Sequence, residues 1–571
     1  MPHHTGVLAQ WRSDEPNLLP IGRDDAPGLV VVCHETTVTG VTLSGLSDSE
    51  SRGLVRRLAQ DNDPGASSPD APWIAIARRG AGSLAAACST LLPSGIFWAA
   101  SPLGLLIASD PGRIVERLPT PPRLSDSYLR DYAHGHCPPD ATPYEGVHRI
   151  PAGHTAVWDD RHAAPRVHAW VGPDHWPKPH LTGDAAVATY LEAFDDAVAG
   201  LSRRTGPLVT QLSGGLDSSF VAAALARQTT ADRPVLGLIH VPLAEANLSA
   251  VGGMDPDESH LAQALALRYP GRLTIRQVRN EDLITPLDAA AESSERSWLP
   301  VFNPGNQSWM TAMNRIARDA GAELLFAGGN GNAAFSFDHP YAARYYLGRG
   351  QLSTLLSLRT PDGWPTLAGA RRRLVKPVLG RSGPRPDRPD IGLPTDRPAL
   401  GESARTRYLR WLTRANNGLM AAQHPAATQG ILKADPFLAR AVVDVAAAIE
   451  PAEWQRGGGS RSFARRLGAG RIPDEIRLRT RRGGQGWDAW YVARNDRDRY
   501  LAEAELLRNT PALGGWVDDR RVTTVVNSWP WGSVQGPPRS EFTAVNRLLA
   551  LAAFARDTQR RLTLMEGRRR L

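Results

Sequence analysis

Residues 209–220 read VTQLSGGLDSSF, an apolar run joined to a helix-forming run through two glycines, one acid and three serines. A strand, a tight turn and a helix account for the glycines. They do not account for the serines gathered around Asp217. A helix N-terminus presents unpaired N–H groups and a partial positive charge, so geometry and field together favour phosphate oxygens there. Gly214 and Gly215 let the backbone approach a ligand without a Cβ in the way, and Ser213, Ser218 and Ser219 add hydroxyl donors. Asp217 cannot meet phosphate directly, because two anions repel unless a cation lies between them, and Mg²⁺ supplies that cation. The spacing is not G-x-x-x-x-G-K-[ST] and no lysine follows, which points away from γ-phosphate transfer.

Working outward, PLVTQL, RPVLGLIHV, RLTIRQV and AELLFAGG are short strand-like runs, separated by the helical patterns SSFVAAALARQ, DESHLAQALALRY and WMTAMNRIARDA. Strands and helices alternating at this spacing predict an α/β unit, a parallel sheet covered by helices, with ligands at the carboxyl ends of the strands. Before residue 180 the pattern differs. GLVVVCHETTVTGVTL, PWIAIARRG, SGIFWAA, GLLIASD and HTAVWDD predict a β-rich, mostly antiparallel domain over 1–180, and the helical run DAAVATYLEAFDDAVAGL (184–201) opens a second unit over 181–571. Lys376 to Pro398 reads as a loop or linker, and helical, Ala-rich sequence resumes around Tyr408. There are no internal repeats.

A chain of 571 residues that is 42% apolar is long enough for two or three domains. No run suits a membrane span, and MPHHTGVLAQWRSDEP lacks the architecture of a signal peptide, so a cytoplasmic location is expected. Three scattered cysteines, Cys33, Cys88 and Cys137, argue against a disulfide framework and against structural zinc. HGHC (134–137) has no second ligand pair. The net charge of +8, concentrated in late arginines, suits an anionic partner. With no zinc-finger pattern, heptad array or interleaved aromatic and basic stripe, nucleic acid is not expected.

SGGLDSS resembles the pyrophosphate-binding loop of the N-type ATP pyrophosphatases, which cleave ATP between the α and β phosphates. The two-domain order is similar to the asparagine synthetase B branch of that superfamily. The resemblance implies an N-terminal glutaminase-type sandwich of the Ntn-hydrolase kind, to which GIFWAASPLGLLIASDP and GVHRIPAGHTAVWDD are similar. In that branch the second residue is the nucleophilic cysteine. Here it is Pro2, which has no thiol, so glutamine hydrolysis is expected to be absent. LLFAGGNGNAAFSFD, DPFLARAVVDVAAAIEPAEW, GGSRSFARRL and GRIPDEIRLRTRRGGQGWDAW resemble the lasso peptide cyclases, a group that has also lost that cysteine.

The resemblance implies ATP and Mg²⁺ as cofactors, with Ser213, Gly214, Gly215, Ser218 and Ser219 on pyrophosphate and Asp217 on the metal. Gly329 and Asn332 stand where the family has acids, leaving an uncharged oxygen as the second metal ligand. Arg482 stands where a lysine is expected and is assigned to the departing phosphates; it can stabilise charge but cannot act as a base. Leu238 and Ile239 are implied neighbours of the adenine. Arg461, Arg465 and Arg466 are further candidates, against the reading of a solvated basic face. For Asp257 and Glu258 a helix cap and an ATP site remain equal alternatives, and for Trp487 and Trp490 a peptide channel competes with core packing. The acid–base partner of the amine is not identified.

The implied reaction joins an Asp or Glu side chain of a precursor peptide to that peptide's N-terminal amine through an acyl-adenylate, with a leader-peptide protease as a possible partner. Two other readings stay open: a β-lactam synthetase or ammonia-using asparagine synthetase, and a peptide-binding relative without turnover.

Overall fold

The computed structural model describes residues 48–337, 346–351 and 431–570 apart from short loop stretches, together with the backbone of four strands between residues 8 and 42. The Lys376–Pro398 stretch, the resumption of helix near Tyr408, and Pro2 lie outside the described residues.

Alternating side chains build the N-terminal half. A six-stranded antiparallel sheet and a five-stranded antiparallel sheet face one another. Ile74, Ile76, Leu84, Ala86, Trp98, Ile107 and Trp158 fill the space between them. The intervening residues turn the other way, as the period of two requires. Trp73, Ala75, Ala85 and Val157 pack under the helix Asp48–Asp61 through Leu54, Val55 and Leu58. Phe97, Ala99, Leu106 and Ala108 pack with residues of the helices Pro111–Arg117 and Asp126–Ala133. The β-rich reading therefore holds for the sheets, but among the described residues three helices lie between the strands.

In the second half the strands run, across the sheet, Leu273–Val278, Val235–His240, Leu208–Leu212, Leu324–Phe326 and Leu432–Ala434, all parallel. Four of the five follow the sequence reading. Leu432–Ala434 was not anticipated, being three residues long with Lys433 in its middle. One face, with Leu212, Ile239 and Phe326, is covered by the helices Gly183–Ser202, Leu216–Gln228 and Arg440–Ala448. The other, with Val209, Leu238 and Leu325, packs on Ala312, Met313 and Ile316 of the helix Pro304–Asp319. The chain starts in the middle of the sheet, builds two strands to one side, then crosses to the other. Strand order thus reverses between Leu208–Leu212 and Leu324–Phe326, and a crevice for ligands forms at the carboxyl ends of strands where the order reverses.

One core joins the halves. Phe97, Tyr128 and Tyr132 cluster with Val301, Phe302, Trp490 and Leu549, the last from the long helix Arg539–Arg570. The Tyr144 hydroxyl donates to the carbonyl of Trp298 at 2.8 Å, and a Cβ on Gly112 would lie 2.2 Å from the Trp298 ring. Trp490 is therefore core; Trp487 lies outside the described residues. Among the described residues no helix is long and apolar enough to cross a membrane.

Candidate active site at the reversal of strand order

Strand Leu208–Leu212 delivers Ser213, Gly214 and Gly215 to the rim, and the helix Leu216–Gln228 starts at once, with Gly215 as a cap that has no side chain to satisfy the first N–H groups. The serines close the loop on itself. The Ser213 N–H donates to Ser218 Oγ at 3.0 Å, the two hydroxyls are 2.9 Å apart, and the Gly215 N–H donates to Ser213 Oγ at 3.2 Å. Ser219 is buried beneath, its hydroxyl directed at the Ser213 carbonyl at 3.5 Å. Gly215 has only Ser213 Oγ near its missing Cβ, at 3.2 Å, and so leaves room for a ligand. Gly214 is glycine for another reason: a Cβ there would lie 2.5 Å from Leu261, 2.7 Å from Glu258 and 2.8 Å from Arg479.

Across the reversal point the strand Leu324–Phe326 delivers Gly328–Asn332, and this turn is pressed onto Asp217. A Cβ on Gly331 would lie 2.0 Å from Asp217 Oδ1, and one on Gly328 would lie 2.9 Å from the Asp217 backbone. Asp217 accepts a hydrogen bond from Ser336 Oγ at 2.7 Å and has the Arg461 guanidinium 3.8 Å from Oδ2. Burial raises its pKa, opposed by the Ser336 hydrogen bond and the charge of Arg461. Arg461 also donates to Asn332 Oδ1 at 3.3 Å, and Ser336 Oγ lies 3.3 Å from that same oxygen. Arg461 adopts φ 55°, a left-handed conformation uncommon outside glycine, so its backbone is held in place by its surroundings.

Asp435, just past the fifth strand, fixes the turn from behind. Its Oδ2 accepts from both the backbone N–H and the side-chain amide of Asn330, each at 2.8 Å, and its Oδ1 accepts from Phe437 N–H at 3.1 Å. Burial pushes the Asp435 carboxyl up to about 6, and it holds the equally buried Lys433 ammonium down at about 7 despite the nearby negative charge of Asp435. Beside the serine loop, Arg479 donates to Glu258, to Asp255 at 3.0 Å and to the Gly214 carbonyl at 3.3 Å.

Of the residues expected from sequence, the structure brings Ser213, Gly214, Gly215, Asp217, Ser218, Asn332 and Arg461 together at this rim. Arg482 enters by its backbone, paired with Met254 in a two-stranded parallel ladder whose next rung joins Asp255 to Gly483; its side chain lies outside the described residues. Arg465 and Arg466 turn away, the first onto the carbonyls of Arg477 and Arg479, the second onto Glu453 and the Gly183 carbonyl. The side chains of Leu238 and Ile239 are buried in the two cores on opposite faces of the sheet, and His240 ends that strand. Asp257 and Glu258 divide the alternatives between them. Asp257 accepts from the Ser259 N–H at 2.7 Å, as a cap does, whereas Glu258 faces the serine loop. Asp435, Asn330 and Arg479 were not anticipated, and Ser336 stood only as the later serine of the segment similar to the cyclases, without a role. Ser336 had a signal, being four residues from Asn332 across a short helical turn.

The asparagine synthase family model matches residues 189–549, more than half of the chain, and spans both sides of this rim. The chain belongs to the asparagine synthase family. Membership makes it an ATP-dependent carbon–nitrogen ligase. No curated protein matches the chain. Among the described residues of this asparagine synthase-type protein, no cluster of three or more His, Cys, Asp or Glu side chains is arranged to hold a metal ion.

Proposed function

We propose that the protein is a macrolactam synthetase of the lasso peptide kind: it adenylates an Asp or Glu side chain of a precursor peptide and joins it to that peptide's N-terminal amine, releasing AMP and pyrophosphate. The observation that carries this reading is the hydrogen bond from Ser336 to Asp217. The serine that follows Gly-Asn in GGNGNAAFS, the feature similar to the cyclases, is the direct partner of the acid in the phosphate loop.

A carboxylate is a poor electrophile because its charge repels an amine. Its attack on the α-phosphorus forms an O–P bond and breaks the α–β anhydride. Pyrophosphate then departs over the Ser213–Ser218 loop, where the hydroxyls now paired with each other and the free N–H groups of the helix start can receive it. The Arg461 guanidinium lies 3.8 Å from the Asp217 carboxylate beside that loop and can follow the developing charge. Attack of the amine then expels AMP. Because amine and acyl group belong to one chain, holding them together replaces a bimolecular encounter.

The donor set fits a magnesium ion that takes most of its ligands from phosphate and water: one carboxylate, Asp217, and one amide oxygen, Asn332, share Ser336 and Arg461 as neighbours. Such an ion would neutralise phosphate charge, and Asp217 and Asn332 would hold it. A precursor core peptide is the substrate in this reading, and a leader-peptide protease is a partner that would expose its amine.

Incubation of a linear core peptide bearing a free N-terminus with ATP, followed by mass spectrometry, tests the reading. The peptide is expected to lose one water with the wild-type protein and none with Asp217→Ala. Conversion of the carboxyl group to a primary amide by added ammonia, with no ring closure, would replace it with asparagine synthetase chemistry.

A further inference from the structure

The mechanism above leaves the proton of the attacking amine without a destination. One buried group is placed to take it. His240 ends the strand Val235–His240, one residue beyond the Leu212–Ile239 rung, so it stands level with Ser213 on the neighbouring strand. Adjacent strands lie about 4.8 Å apart. His240 shares the sheet face of Leu238, the face covered by the helix Pro304–Asp319. Its Nε2 lies 3.1 Å from Asp488 Oδ2, and both side chains are buried. The ring stacks on Trp309 at 6.2 Å between centroids and 14° between planes.

The polar atoms here are unsatisfied. His240 Nδ1 and Nε2, Asp488 Oδ2 and Trp309 Nε1 are all buried without a hydrogen-bond partner, since the close approach of His240 to Asp488 is not aligned for one. On the same sheet face, Gln211 Nε2 is likewise buried and unpartnered. Buried polar groups are seldom left so, and several in one place point to a ligand group that completes them. Beside the His240 ring, a Cβ on Gly486 would lie 2.7 Å from Asn306 and 3.1 Å from Trp309, so this glycine packs directly on the helix Pro304–Asp319.

We propose that His240 is the general base of amide formation, with Asp488 as its positioning residue. The inference rests on the adenylation reading above. The amine attacks the acyl carbon and the C–N bond forms. The acyl–oxygen bond to AMP breaks and AMP leaves with the electron pair. The amine proton passes to Nδ1, and the imidazolium, its charge balanced by the Asp488 carboxylate 3.1 Å from Nε2, returns it to solvent.

The two half-reactions separate this role from others. Adenylation is read by exchange of labelled pyrophosphate into ATP in the presence of a linear core peptide. Capture is read by ring closure, and separately by hydroxamate formation with added hydroxylamine, which attacks acyl-adenylates unassisted. For His240→Gln, exchange and hydroxamate formation are expected within threefold of wild type while ring closure falls by about 10² or more, the usual share of a general base. Asp488→Asn is expected to show the same split, more weakly. Loss of exchange along with closure in both variants overturns the proposal in favour of a structural or nucleotide-binding role, and undiminished closure overturns it outright. Absence of exchange in the wild-type protein is a different result, one that removes the adenylation reading itself.

Discussion

The two sides of the sheet rim differ in how their polar groups are settled. Around Asp217 they are partnered within the protein: Ser213 with Ser218, Asp217 with Ser336 and Arg461, Asn332 with Arg461, Asn330 with Asp435. Around His240 they are not, although burial is as deep. A corner that must accept the same triphosphate at every turnover gains from preorganisation, because its dipoles need not reorganise when charge develops. A base of the kind proposed for His240 gains from atoms that only the substrate completes.

Damage to the partnered corner should be the more severe. Gly331→Ala puts a methyl carbon into Asp217 Oδ1, with 2.0 Å available, and Asp217 must move. A displacement of that order costs about hundredfold in rate, so pyrophosphate exchange and ring closure are both expected to fall by at least about that factor, while overpacking lowers stability by about 1–3 kcal/mol. Retained exchange would show that the turn yields instead. His240→Gln sharpens the contrast from the other side, since only closure should suffer. The smallest effect concerns Asp435. Its folded pKa of about 6 lies above the ordinary carboxylate value, so through this group the fold is most stable at low pH and loses stability as pH rises through about 6. The ionised form is nevertheless the one that best accepts the two Asn330 N–H groups. Exchange is therefore expected to decline several-fold as pH falls below about 6, and in Asp435→Asn that limb should vanish from the pH profile.

The strand–turn–helix at 208–228 was legible because its three signals, apolar run, glycine pair and helical period, agree locally. What faces it was less so. Arg461 sat in a run of arginines with nothing local to separate it from Arg465 and Arg466; only its left-handed backbone and its reach to a residue far earlier in the chain distinguish it. Asp435 was hidden by the brevity of the strand before it. His240 read as the end of a buried strand, since its partner Asp488 comes from a segment 248 residues later in the chain, and no periodicity reports such a meeting.

The central claim is that the corner at 213–219 brings a carboxyl group to the α-phosphorus of ATP. It is tested most directly by exchange of labelled pyrophosphate into ATP, with saturating magnesium and a linear core peptide, for the wild-type protein and Asp217→Ala. The account predicts exchange that depends on the peptide, is accompanied by AMP, and falls by about 10³ in the variant, the upper range for removing one group that stabilises developing charge. Equal exchange in the two proteins, or formation of ADP in place of AMP, would contradict it.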